Sequence, residues 1–291
     1  MNRNRNLYFL YLITIMISFC IGCYLVRPDK ETIIYFPLHP KAHFLNAKTQ
    51  LSAEPLNNSP FYNINWSVTS LLDRKAYLRQ DAGLLFEDGK LKSIIGPAEW
   101  KQTADTINET RTFTDKSSHL FQAIAFHYGE IHEKQKITSV QQMSHDSLYV
   151  IQTANNSLYS FRQAQDSVQV QWERELNQKS QRYLHLLWKK GMEQWSLKAD
   201  SYTSIPLTDL YQYNSEPLPG FTRTQSDQII GRLWEGLYKQ YITGIKKEDG
   251  TVISPINSAV PLVLINPTLR ELLVLIPTEQ YGDFLLKQRI P

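Results

Sequence analysis

The sequence predicts an α+β protein: an N-terminal transmembrane helix followed by a mainly antiparallel β domain with few helices. Three observations carry that prediction. An uncharged apolar run occupies residues 7–26, turn-forming pairs break residues 111–199 into short runs, and one long helical stripe lies between residues 224 and 244.

From Leu7 to Val26 no residue carries a charge, and about twenty residues at 1.5 Å each give roughly 30 Å of helix, the thickness of a bilayer core. Arg3 and Arg5 precede the run, Tyr8, Phe9, Tyr11 and Tyr24 lie near its ends, and Arg27-Pro28 closes it. This pattern suits a signal-anchor or single-pass span with the basic stub 1–6 inside and the large C-terminal domain outside the cytoplasm. The end of the run resembles a lipoprotein signal. Gly22-Cys23 match its last two positions, Ile21 is tolerable, and Cys20 stands where such signals carry a large aliphatic residue. The resemblance implies lipidation on Cys23 as the alternative to an uncleaved anchor. Either route tethers the chain to the cell membrane.

Composition limits the rest. Arg3 and Arg5 are two of 31 Lys+Arg against 28 Asp+Glu, so the exported part is close to neutral and nucleic acid is not an expected partner. Both cysteines, Cys20 and Cys23, fall in the apolar run, which leaves the polar part without disulfides, thiolate metal sites or a cysteine nucleophile. With 42% hydrophobic and 12% aromatic residues there is material for a sizeable core.

Residues 27–60, with Pro28, Pro37, Pro40, Pro55 and Pro60, read as a stalk, although Thr32–Phe36 is strand-like. The globular domain then occupies 61–291, with a candidate division into subdomains 61–205 and 206–291. Val68, Leu71, Leu72, Ala76 and Leu78 suggest a helix over 66–80. Asp88-Gly89 marks a two-residue hairpin. Asn155-Asn156 predicts another, pairing Val150 with Phe161 and Gln152 with Tyr159. A third is expected around Lys190-Gly191, and the alternation of Val168, Val170 and Trp172 reads as a half-buried strand. One blade-like hairpin without repeated copies excludes a β-propeller. Ile229, Ile230, Leu233, Trp234, Leu237, Tyr238, Tyr241 and Ile242 define a helix, with Thr224 and Asp227 as its capping box and Gly244 as its stop. The apolar runs 261–265 and 271–276 flank a turn and read as central strands covered by that helix.

Candidate chemistry is sparse. His127, Glu130 and His132 are weak metal or acid-base candidates, because a strand would put Glu130 and His132 on one face and His127 on the other. A site there would need a further ligand such as His119, His145 or His185. Ser144–Ser147, "SHDS", reads as a turn whose neighbours cannot form a nucleophilic relay among themselves. Asp73, Asp81, Glu87 and Asp88 could supply a carboxylate pair. Trp172, Trp188 and Trp195 could stack on sugar rings if exposed together, and are core if buried. No cofactor is implied and catalytic residues stay unassigned. The sequence therefore points to a membrane-tethered, non-catalytic binding or regulatory module of the bacterial cell envelope. Its expected partners are the membrane and an envelope protein or cell-wall polymer. The alternative is an envelope hydrolase or metal-dependent enzyme using Glu130 and His132.

Overall fold

Alternating burial of Tyr62, Ile64, Trp66, Val68 and Ser70 builds the longest strand, β2 (Tyr62–Glu87), where the sequence suggested a helix over 66–80. Leu71 and Leu72 satisfy a helical spacing, but the period-two pattern begins upstream at Tyr62 and wins because both long edges of the strand find partners. The computed structural model describes residues 32–290 apart from 58, 97–99 and 248, so the span Leu7–Val26 and Cys23 lie outside the described residues. Among the described residues no helix is long and apolar enough to cross a membrane.

The first half of β2 pairs with β1 (Phe44–Pro55) and the second half with β5 (His119–Glu133). On its other edge lie β3 (Lys90–Ile95) and β4 (Lys101–Asp115). β6 (Lys136–Gln152) and β7 (Leu158–Phe161) extend the sheet beyond β5, all antiparallel. The ladder to β4 jumps from Leu71↔Thr106 to Ala76↔Ala104, and just beyond it the inward-facing positions of β2 change from even, up to Ala76, to odd, from Arg79. Arg79, Asp81, Gly83 and Leu85 therefore face the same interior as Tyr62 to Ser70. A Cβ on Gly83 would meet the Trp66 ring at 2.8 Å. The sheet curls into a nearly closed barrel.

The stalk expected over 27–60 is instead part of this domain where it is described. Ile33 is buried in the main core, Leu38 bridges to Ser139, and residues 44–55 are β1. Asp88 (φ 49°) and Gly89 (φ 86°) make the expected two-residue turn, with Glu87 opposite Lys90. The β6–β7 hairpin is one residue out of the expected register, with Tyr149 opposite Phe161 and Ile151 opposite Tyr159. Its loop has three residues, Ala154 to Asn156, closed by Thr153 and Ser157 with Asn156 left-handed (φ 63°).

The expected strand at Val168–Trp172 and hairpin at Lys190-Gly191 are both corrected by one helix, α1 (Ser167–Gln194), capped by Asp166. Val168 and Val170 are exposed, whereas Leu176, Ser180, Leu184 and Gly191 are buried at helical spacing. Gly191 lets the helix approach Leu275, whose Cδ atoms would lie 2.9 Å from a Cβ there.

The second helix, α2 (Arg223–Leu237), continues as a π-helical turn through Ile242, and Gly244 (φ 111°) ends it as expected. Its capping box is Thr222 with Gln225, two residues upstream of the expected Thr224 and Asp227. Strand β8 (Thr203–Pro206) precedes α2. The short pair β9 (Ile245–Lys246) and β10 (Val252–Ile253) follows it, and then β11 (Leu262–Asn266), β12 (Glu271–Ile276) and β13 (Phe284–Arg289). Their four-stranded sheet has the order β13-β12-β11-β8, so the two apolar runs are central strands. Val263, Ile265, Leu272 and Val274 face α2, while Leu264, Leu273 and Leu275 face Trp188 and Met192 of α1. The subdomain boundary expected at 205/206 falls inside β8, and one core joins α2 to Leu84, Phe86, Ile124 and Phe126 on the outer face of the barrel.

Trp234 stacks on Phe126 at 5.0 Å between ring centroids and is fully buried at this junction. Trp234→Ala is expected to cost about 3–5 kcal/mol in urea unfolding, and Trp195→Ala, at an exposed position, within about 0.5 kcal/mol.

Candidate functional site

The barrel interior is layered. Leu51, Tyr62, Ile64, Trp66, Leu85, Phe121 and Val150 fill one end, and Ala42, Phe44, Leu72, Ala76, Ile131 and Val140 the other. Between them lies a polar layer of Thr49, Ser70, Arg79, Asp81, His127 and Ser144, all buried.

Period two along β5 places His127 inside, and Glu130 and His132 on the opposite face, as the sequence predicts. His127 Nδ1 lies 2.7 Å from Asp81 Oδ2, and His127 Nε2 lies 2.7 Å from Ser144 Oγ. A carboxylate can only accept, so Asp81 places a proton on Nδ1 and, of the two tautomers of the uncharged ring, selects Nδ1–H. Nε2 then accepts from the Ser144 hydroxyl, whose oxygen lies 2.6 Å from Thr49 Oγ1. Ser70 donates to Asp81 Oδ2 at 2.6 Å and accepts from Arg79 Nη2 at 2.5 Å. The Phe44 ring covers the layer, 5.0 Å from the Arg79 guanidinium and 5.9 Å from the His127 ring.

Burial alone would raise the Asp81 pKa, but His127, Arg79 and Ser70 together outweigh it and hold the carboxyl below its usual range. Burial depresses Arg79 despite the opposing pull of Asp81. The pair is charged and neutral overall, separated by 3.5 Å between Nη2 and Oδ1. This Oδ1 atom has no hydrogen bond among the described residues.

Ser144 stands where the barrel fails to close by backbone pairing. Strand β1 meets β6 across a seam, and there side chains replace the missing ladder. Leu51 N donates to Asp146 Oδ2 at 2.8 Å, and Arg162 Nη2 donates to Leu51 O at 2.8 Å. Asp146 and Arg162 complete the clamp with two further bonds of 2.8 Å. On β6, Asn214 accepts from Met143 N at 3.0 Å and donates to Met143 O at 2.8 Å, imitating a neighbouring strand. A cavity of about 460 Å³ opens in this seam, with Lys48, Thr49, Gln50, Ser144, His145 and Tyr211 among its walls. His145 stacks on Tyr211 at 3.2 Å between centroids, and its partial desolvation lowers its pKa against the pull of Asp146.

The other sequence candidates are dispersed. Glu130 and His132 hydrogen-bond to each other and the His132 ring stacks on Tyr77, away from His127. "SHDS" is strand, not turn: it lies within β6, and its Ser144 reaches His127 rather than its own neighbours His145 and Asp146. Asp73 pairs with Arg74. His185 is exposed on α1. Trp188 is half-buried and donates to Val260 O, Trp172 leans on Tyr159, and Trp195 is exposed. Sixteen helical residues put Trp172 and Trp188 roughly 24 Å apart, so they form no shared stacking platform.

At the far end of the barrel, Glu87, Asp115 and His119 bring one ligand atom each within 4.8 Å of one another. Lys92 already neutralises Glu87 at 2.6 Å, and Lys179 and His119 hold Asp88 at 2.6 and 2.7 Å. This arrangement is a satisfied ion-pair network rather than a vacant ligand set. No protein-family model, curated protein or solved structure matches the chain, so geometry carries the functional argument alone.

Asp146→Ala should remove the carboxylate partner of Arg162, leaving it only Leu51 O, and leave the Leu51 amide without its acceptor, at a cost of about 1–3 kcal/mol. Denaturant titration and faster hydrogen exchange at Leu51 check it. A second prediction concerns pH. Burial lowers the His119 pKa, but Asp88, Glu87 and Asp115 outweigh it and leave it raised. Burial raises that of Asp88, and its bonds to His119, Lys179 and Leu120 outweigh it and leave it depressed. The His119 contribution is complete below about pH 6.5 and lost as pH rises through its raised folded value. The Asp88 contribution is present above about pH 3.9 and lost as pH falls through its depressed value. In thermal melts across pH, His119→Gln should flatten the decline on the alkaline side.

Proposed function

We propose that this chain is a membrane-tethered binding module of the bacterial cell envelope, and that the seam between β1 and β6 is its ligand site. The observation that carries the reading is the polar cavity of about 460 Å³ held open there, where strand pairing would otherwise have closed the barrel. Its walls offer a cation in Lys48, amides in Gln50 and Asn214, and the Tyr211 ring. Such a lining suits a polar, extended segment of a peptide or cell-wall polymer better than a lipid or an apolar metabolite. The membrane tether rests on the uncharged run 7–26 and the Gly22-Cys23 sequence. The version of the enzymatic alternative built on Glu130 and His132 gains no support, because the two groups satisfy each other and neither lines the cavity.

The test is hydrogen-exchange mass spectrometry of the full chain in detergent micelles, with solubilised peptidoglycan fragments as the probe. Protection is expected in residues 47–50 and 143–146. Unchanged exchange there at millimolar fragment concentration would remove the reading.

A further inference from the structure

We propose that Ser144 is an acyl-accepting nucleophile, with His127 as its base and Asp81 as the residue that positions the base. The proposal shares the seam cavity with the binding reading and adds a reaction to it. Asp81, His127 and Ser144 come from β2, β5 and β6, and the two hydrogen bonds that join them are each 2.7 Å. Asp81 and His127 have no exposed surface, whereas Ser144 is 9% exposed and lines the cavity. A buried acid, a buried imidazole and a hydroxyl at a cavity wall, in that order, are the elements that activate a serine.

The chemistry closes without a further reactant other than water. As Ser144 Oγ bonds to an ester carbonyl carbon, its proton passes to His127 Nε2, and Asp81 stabilises the imidazolium through Nδ1–H. The carbonyl carbon–alkoxide bond then breaks and His127 returns the proton to the leaving alcohol. A water, deprotonated by His127, attacks the acyl carbon, the acyl carbon–Oγ bond breaks, and His127 returns the proton to Ser144 Oγ as the carboxylic acid leaves.

Thr49 supplies the remaining element. While Ser144 donates to His127, the Thr49 hydroxyl donates to Ser144 Oγ across 2.6 Å. When that oxygen becomes bonded to carbon, the Thr49 hydrogen can turn to the carbonyl oxygen, where negative charge develops. Behind Ser144 the interior is filled by His127, Phe44 and Arg79, so the acyl group is short. The cavity in front is lined by Lys48, Gln50, His145 and Tyr211, so the alcohol is polar. The substrate class is a short carboxylic ester of a hydrophilic alcohol, such as an O-acetyl group on a sugar polymer.

The test uses the full chain in detergent micelles, a small alkyl fluorophosphonate as the covalent probe and p-nitrophenyl acetate as the ester. Peptide mass spectrometry should find one phosphonyl adduct, on Ser144, and none in Ser144→Ala. His127→Gln should slow labelling by at least about 100-fold. Thr49→Val, which keeps the side-chain shape, should lower ester turnover by on the order of 10-fold to 1000-fold. Circular dichroism and thermal melts establish that each variant is folded. If His127→Gln unfolds, the adduct position in the unmodified protein and its loss in Ser144→Ala still decide the matter. A folded protein with no adduct, or one labelled elsewhere, overturns the proposal. Protection of the seam by peptidoglycan fragments does not depend on this result, so the binding reading and the catalytic one fail separately.

Discussion

A guanidinium with no exposed surface sits inside the barrel, and the surrounding structure is arranged around neutralising it. Taking one such ion out of water costs several kcal/mol unless its charge and each donor find partners. Arg79 donates to Tyr128 O at 3.1 Å, to Asp105 O at 2.7 Å and to Ser70 Oγ, and lies beside Asp81. The irregularity in the β2–β4 ladder serves this arrangement. It skips Asp105 in the pairing, which leaves its carbonyl for Arg79, and the change of inward parity between Ala76 and Arg79 brings Arg79 and Asp81 inward beside Ser70. Gly129 completes the fit, since a Cβ there would lie 3.1 Å from Arg79 Cδ and 2.9 Å from Val140.

Once Asp81 is fixed by Arg79, the orientation of His127 follows, and with it the direction of the hydrogen bond to Ser144. The same strand geometry that buries the ion pair thus delivers a hydroxyl to the wall of the seam. The seam itself exists because β1 and β6 exchange no backbone bonds. The Asp146–Arg162 clamp on Leu51 and the Asn214 amide on Met143 satisfy the two edges with side chains. Side chains reach further than a ladder spacing, so the edges are satisfied while a cavity stays open between them.

Local chemistry made several elements legible in the sequence. Asp88-Gly89 encodes a left-handed pair, the α2 stripe has a clear 3.6 period, and the 261–276 runs are apolar on both faces. The failures have equally local causes. Val168 and Val170 alternate as a strand would, yet they point to solvent, and the deciding series Leu176, Ser180 and Leu184 begins a turn later. At 66–80 a helical spacing coexists with a strand alternation that extends beyond that window. The hairpin at Asn155-Asn156 slipped by one because a left-handed Asn156 suits a three-residue loop as well as a two-residue one.

The candidate site was legible only in pieces. Asp81, His127 and Ser144 belong to three separate groupings in the sequence, and the separations of 46 and 17 residues between partners are set by tertiary pairing. Period two on β5 did separate His127 from Glu130 and His132. The further signal was that Arg79 and Asp81 share a face of a strand otherwise filled with apolar residues, which marks an interior polar layer once β2 is recognised as a strand.

The tautomer of His127 tests the central claim most directly. Long-range proton–nitrogen NMR correlation of the imidazoles, with the His127 signal assigned by its loss in His127→Gln, reports which nitrogen carries the proton. The account predicts a proton on Nδ1, held by Asp81, and an unprotonated Nε2 facing Ser144. A proton on Nε2 with Nδ1 bare would contradict it, because Asp81 would then not orient the ring and Ser144 would have no base.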